Sequence, residues 1–139
     1  QSLIKTFGKQ IKKSFGYIPG SSGKRAGFFN RVASEGGINI SNPYTGESYD
    51  AAALIALAIQ AGGSLDSKSI SKNIIDIANA PGTKIYPGEI KKGLELLIRG
   101  KKIDYEGATG VNFNKFGDAQ GSFLEQEIKN GKLKVYKQR

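Results

Sequence analysis

The chain has 139 residues and a net charge of +9, with no cysteine, histidine or tryptophan. That is one domain's worth of chain, enough for a core but not for two full domains. It lacks disulfides and thiolate metal sites, and it lacks the usual general base and zinc ligand. No run of 18 apolar residues predicts a membrane span. The chain opens on Gln1 without a visible secretory signal, as a processed or truncated product would.

The charge is a property of the termini. Residues 1–31 hold seven basic residues and no acid (Lys5, Lys9, Lys12, Lys13, Lys24, Arg25 and Arg31), and residues 129–139 hold five more. The ends therefore carry +12 and the middle, nine bases against twelve acids, carries −3. These runs lack the interleaved aromatics of a single-strand nucleic-acid binder, so they read as solvated surface.

Leu3, Ile4, Phe7 and Ile11 recur at helical spacing over Ser2–Lys13, with lysines on the other face. This is the pattern of a surface helix packed on its own domain; a basic amphipathic helix can also mark a membrane surface or a partner groove. Phe15–Ile18 reads as a short strand stopped by the breaker cluster Pro19-Gly20-Ser21-Ser22-Gly23. Gly20 to Lys24 imitates a phosphate loop but fails on spacing: Ile18 stands where the first glycine is needed, and Arg25 where a serine or threonine must follow the lysine. A linker whose Ser22 caps the next helix, Lys24–Ser34, is the better account. Gly36-Gly37 ends that helix.

Asn42-Pro43 predicts a turn. Tyr49–Ala61 is polar only at Asp50 and Gln60, so a helix buried on nearly every face is expected. Asp66 is a candidate N-cap for a helix carrying Ile70, Ile74 and Ile77. After Pro81-Gly82 and a connector from Thr83 to Tyr86, Pro87 suits the first position of a helix with Ile90, Leu94 and Leu97, ended by Gly100. Residues 100–118 are Gly-rich: Val111 and Phe113 alternate across Asn112 as in a strand, and Asn114–Asp118 is a turn in which Gly117 takes positive φ. Ser122–Ile128 and Leu133–Tyr136 flank Asn130-Gly131, a strong hairpin signal.

The inventory is about five helices with few strands. No parallel sheet can be completed from it, because most helices lack a preceding Val/Ile-rich strand. It reads as the last part of an α/β protein. No residues form a catalytic constellation, and no enzyme, cofactor or metal function is expected.

Five pieces in order carry a resemblance: Phe15-Gly-Tyr-Ile-Pro-Gly-Ser21, Tyr44 through Tyr49-Asp50-Ala51-Ala52, Pro81-Gly-Thr-Lys-Ile-Tyr-Pro-Gly-Glu89, Ile103-Asp-Tyr-Glu-Gly107 and Asn114–Asp118. Together they resemble the C-terminal portion of the substrate-binding proteins of branched-chain amino-acid ABC transporters, of the type I periplasmic-binding-protein family. The resemblance implies an incomplete part of a two-lobe, Rossmann-like α/β fold, helix-rich with a short C-terminal β-hairpin. Residues 1–19 and 119–139 would be pieces of the second lobe, and 20–118 the C-terminal helices of the first. Ile18, Pro19, Gly20, Ser21, Ala119 and Gln120 would form two hinge crossings. Both crossings would return the chain to the same lobe, so Phe15–Ile18 is expected to pair in one small sheet with the Ser122–Tyr136 hairpin, since neither makes a stable sheet alone.

By the same resemblance the function is binding of a branched-chain or related amino acid for a membrane permease, in the periplasm or outside the cell. The ligand contacts would lie upstream of Gln1, so none is assigned to this chain. A ligand-sensing receptor domain on the same scaffold is the alternative, with a small basic nucleic-acid module behind it. The chain alone is expected to self-associate through first-lobe helices and to bind leucine poorly.

Overall fold

The computed structural model describes residues 2–11, 14–20, 23–40, 42–120, 123–130 and 132–138. Helix α1 (Ser2–Phe7) passes into one 3-10 turn, Gly8–Gln10, and is shorter than its pattern suggested. Gly8 at φ 50 leaves the helical region there, a conformation glycine adopts without steric cost. Strand β1 (Ser14–Pro19) follows, then α2 (Gly23–Glu35). Ser22, expected to cap α2, lies outside the described residues.

The centre is built from α3 (Thr45–Gly62), α4 (Ser67–Ala78), β2 (Thr83–Ile85), α5 (Ile90–Ile98) and β3 (Ile103–Tyr105). Asp66 caps α4 as its position suggested, accepting from the Lys68 and Ser69 amides. The connector after Gly82 is a strand: β2 pairs with β3 in parallel, Lys84 opposite Asp104. A strand–helix–strand unit therefore exists where none was expected. Pro87 is buried but precedes α5 by a turn, and Glu89 occupies the N-cap position. The Glu89 carboxylate accepts from the Tyr86 amide, so the chain folds into a tight turn before it can become helix.

Leu54, Leu57, Ala58, Ile77, Ile85, Ile103 and Tyr105 form the core, with the stripes of α4 and α5 packed against it. Each fully buried large side chain contributes about 1.5–3 kcal/mol. Gly93 lets α5 close on α3: a Cβ there would lie 2.9 Å from Leu57 Cδ2. The expectation that α3 is buried all round is corrected. Ala53, Leu54, Leu57 and Ala58 are buried, whereas Ala51, Ala52, Ile55 and Ala56 are exposed. Alanine favours helix without requiring burial, and three of these four open positions are alanine.

Strand β4 (Asn112–Phe113) pairs with β5 (Ala119–Gln120) across the Asn114 turn. Asn114 Oδ1 accepts from the Phe116 and Asp118 amides, and Gly117 has φ 84. Strands β6 (Phe123–Lys129) and β7 (Lys132–Gln138) form the hairpin, and β1 pairs antiparallel with β6 in a three-stranded sheet of order β1-β6-β7. The pairing expected across more than a hundred residues is present, with Ile18 opposite Leu124 and Phe15 opposite Glu127. Among the described residues, no helix is long and apolar enough to cross a membrane.

Candidate functional site

A cavity of about 600 Å³ lies between the three-stranded sheet and the helices. Its wall from the sheet is Tyr17 to Gly20 with Leu124 and Gln126; its wall from α2 is Ala26, Phe29 and Asn30. The floor is the first turn of α3 together with Ala108 and Thr109. A second cavity of about 310 Å³ adjoins it, lined in part by Pro19, Ala119, Gln120 and Phe123. Pro19, Glu47 and Thr109 line both.

The floor is held from below by Asp50, which is 1% exposed. Its Oδ1 accepts from the Tyr105 hydroxyl at 2.8 Å and the Ala108 amide at 2.7 Å. Its Oδ2 accepts from the Thr109 amide at 2.8 Å and the Thr109 hydroxyl at 2.7 Å. Four donors compensate the lost hydration of this buried carboxylate. Burial, and then the Asp50 charge, push the Tyr105 hydroxyl far above its ordinary pKa, so it stays a donor. Gly46 permits this close approach of floor and turn, since a Cβ there would sit 3.3 Å from Thr109 Cγ2.

The entrance to α3 is set by Tyr44, at φ 62, a left-handed conformation unusual for a bulky residue. Thr45 donates its hydroxyl to the Asn42 carbonyl at 2.7 Å and secures the turn. The Tyr44 ring is thereby left 62% exposed on the cavity rim. Phe29 tilts against Tyr49 with ring centroids 5.6 Å apart, which fixes α2 against α3.

On the far side of the 107–109 turn, Glu106 bridges Arg25 at 3.0 Å and also pairs with Lys84. Burial raises the Glu106 carboxyl, but hydrogen bonds from Lys84 and Arg25 outweigh it and hold the group below the usual carboxylate range. Asp104, pushed up mainly by burial, lies 3.8 Å from the same Lys84. These pairs tie α2 and β2 to the end of β3 and present no charge to the cavity. Among the described residues, no group of His, Cys, Asp or Glu could hold a metal ion.

Of the residues assigned to crossings, Ile18 and Pro19 end β1, Gly20 follows it, and Ala119 and Gln120 form β5. Ser21 lies outside the described residues. Ile18, Pro19 and Gly20 line the larger cavity, and Pro19, Ala119 and Gln120 meet at the smaller one. Glu47, Thr109, Phe29 and the supporting role of Asp50 were not assigned from sequence. The run from Tyr44 to Ala52 and the Gly-rich stretch marked both halves of the floor, without indicating that they touch.

The fold is mixed α/β, and it matches that of a leucine-binding protein over part of the latter's length. The structure matches the leucine-binding protein LivK of Thermotoga maritima with a TM-score of 0.60 over 99% of this chain, at 19% identity. In sequence it is similar to the chemotactic signal transduction system substrate-binding protein BasB of Halobacterium salinarum, 32% identical over 68 residues, or 49% of this chain. The chain spans 33% of the LivK chain and 16% of BasB. No protein-family model matches the sequence.

Proposed function

We propose that the chain is part of a solute-binding protein for branched-chain or related amino acids, serving the membrane permease of an ABC transporter in the periplasm or outside the cell. The observation that carries this reading is the 600 Å³ cavity, in a chain whose fold follows a leucine-binding protein over 99% of its length. A cavity of this size suits a small molecule. Residues 1–19 and 119–139 would belong to one lobe and 20–118 to the other, with Ile18 to Ser21, Ala119 and Gln120 as the hinge. The reading assigns binding without catalysis. A receptor role on the same scaffold is the second reading, favoured by the name of BasB, which places that relative in a chemotactic signalling system.

An amide-resolved NMR titration of the chain with the amino acids tests the proposal. Leucine, isoleucine or valine should shift the Gly46 and Thr109 amides with weak, millimolar affinity, while aspartate should not. Absence of any amino-acid response at these amides would remove the reading.

The exposed side of α3 adds a second expectation. Ile55 is 46% exposed and Ile75 of α4 39%, on a surface continuous with the groove between the two helices. Such apolar surface favours association, so the purified chain should scatter light as a dimer or larger species. Ile55→Lys should return it to monomer; a wild-type chain that is monomeric at millimolar concentration would refute this.

A further inference from the structure

We propose that one end of the three-stranded sheet, the hairpin tip carrying Lys129, Lys132 and Lys134, is a docking surface for an anionic lipid bilayer. None of these lysines lines either cavity described above, so the surface is separate from the candidate site.

In sequence the two basic runs stand at opposite ends of the chain, and each alone is solvated surface. The fold joins them. Ser14 opens β1 directly after Lys12 and Lys13, and it lies opposite Ile128 of β6. Beyond Ile128 the ladder ends with Lys129 opposite Lys132, across the turn in which Asn130 has φ 53. Like charges directly opposite each other destabilise a ladder. Nothing described offsets this pair: Lys129, Lys132 and Lys134 are exposed and form no ion pair with any described residue. Glu127, opposite Lys134, is the single acid between positions 126 and 135. The middle of the chain carries −3, so the positive charge belongs to this end and is not spread over the molecule.

Charge alone would fit any polyanion; the apolar side chains among the lysines select a bilayer. Leu133 is 50% exposed between Lys132 and Lys134, and alternation along β7 turns it to the other face of the strand. Phe15, 62% exposed, stands on β1 opposite Glu127. A soluble polyanion would pair with the lysines and leave Leu133 and Phe15 in water. With the tip foremost against a bilayer, long lysine stems reach headgroup phosphates while apolar and aromatic neighbours enter the interface. Each lysine near an anionic surface strengthens binding by about fivefold, an effect that fades within a Debye length and weakens with salt.

The test is cosedimentation of the 139-residue chain with vesicles of mixed phosphatidylglycerol and phosphatidylcholine, and with vesicles of phosphatidylcholine alone. At low salt the chain should bind the mixed vesicles and not the neutral ones, and added salt should release it. The combined variant Lys129→Gln, Lys132→Gln and Lys134→Gln should bind about a hundredfold more weakly, at about fivefold for each lysine. A control with Lys72→Gln, Lys91→Gln and Lys101→Gln removes the same charge from exposed lysines elsewhere and should bind like the parent. Thermal unfolding of both lysine variants should match the parent. Leu133→Ser should weaken vesicle binding by about fivefold and leave any binding of polyglutamate unchanged. Absence of binding to the mixed vesicles at low salt, or equal losses in the two lysine variants, overturns the proposal. Tighter capture by polyglutamate or duplex DNA than by vesicles, or vesicle binding indifferent to Leu133→Ser, gives the surface to a soluble polyanion and removes the bilayer.

Discussion

Asp50→Ala is expected to destabilise the chain by about 4 kcal/mol or more, since each buried donor left unpaired costs about 1–3 kcal/mol. The lost partners are the Tyr105 hydroxyl, the Ala108 amide, and the amide and hydroxyl of Thr109. All three residues are buried, so water cannot readily replace the carboxylate. A small domain has only about 5–15 kcal/mol of stability in total, and a loss this large leaves much of the population unfolded at room temperature. Asp50→Asn should fare little better, despite its matching shape. Each carboxylate oxygen accepts two bonds, so whichever way the amide turns, its NH₂ faces two donors. Urea unfolding followed by circular dichroism measures both variants. A shift under about 1 kcal/mol for Asp50→Ala would mean that the network contributes little, because values this small are typical of surface substitutions.

What the sequence disclosed and what it withheld divide by the distance between interacting residues. The Asn114–Asp118 turn, the Asp66 cap and the hairpin at Asn130 are closed within a few residues, and their chemistry was visible locally. The three-residue strands β2 and β3 were not. Thr83-Lys84-Ile85 shows no alternation long enough to register, and its partner Ile103-Asp104-Tyr105 lies twenty residues on, placed by the packing of α5. The Asp50 network is of the same kind: its donors stand 55 to 59 residues downstream. A lone aspartate in an apolar helix signalled something buried and bonded, but not what it held. The excess burial expected of α3 has a different cause. Composition counts alanine as apolar, whereas an exposed alanine costs little and stabilises helix. The order of motifs, by contrast, led to the right fold, because it samples the whole chain instead of any one contact.

Gly107→Ala should be the second most damaging substitution, for two reasons that can be separated. Gly107 has φ +56, where an L-residue costs roughly 1–2 kcal/mol. A Cβ there would also lie 2.7 Å from both Asp50 Cγ and Tyr105 Cε1. Neither neighbour can retreat easily: the carboxylate is pinned by four donors, and the Tyr105 ring is in the core. Overpacking of this sort costs typically about 1–3 kcal/mol, which brings the total to roughly 2–5 kcal/mol. Gly117→Ala is the control, because Gly117 has φ +84 with nothing within 4 Å of its Cβ position. It should show the backbone strain alone, about 1–2 kcal/mol. Chemical denaturation of the two variants gives the difference, which is the steric share. Equal losses at the two positions would show that Asp50 and Tyr105 yield without cost. The Gly107 variant should carry a further mark. Pushing the Asp50 carboxylate aside loosens its hold on Ala108 and Thr109, the floor of the larger cavity. The amides of those two residues should therefore move in the NMR spectrum of the Gly107 variant and stay in place in that of the Gly117 variant.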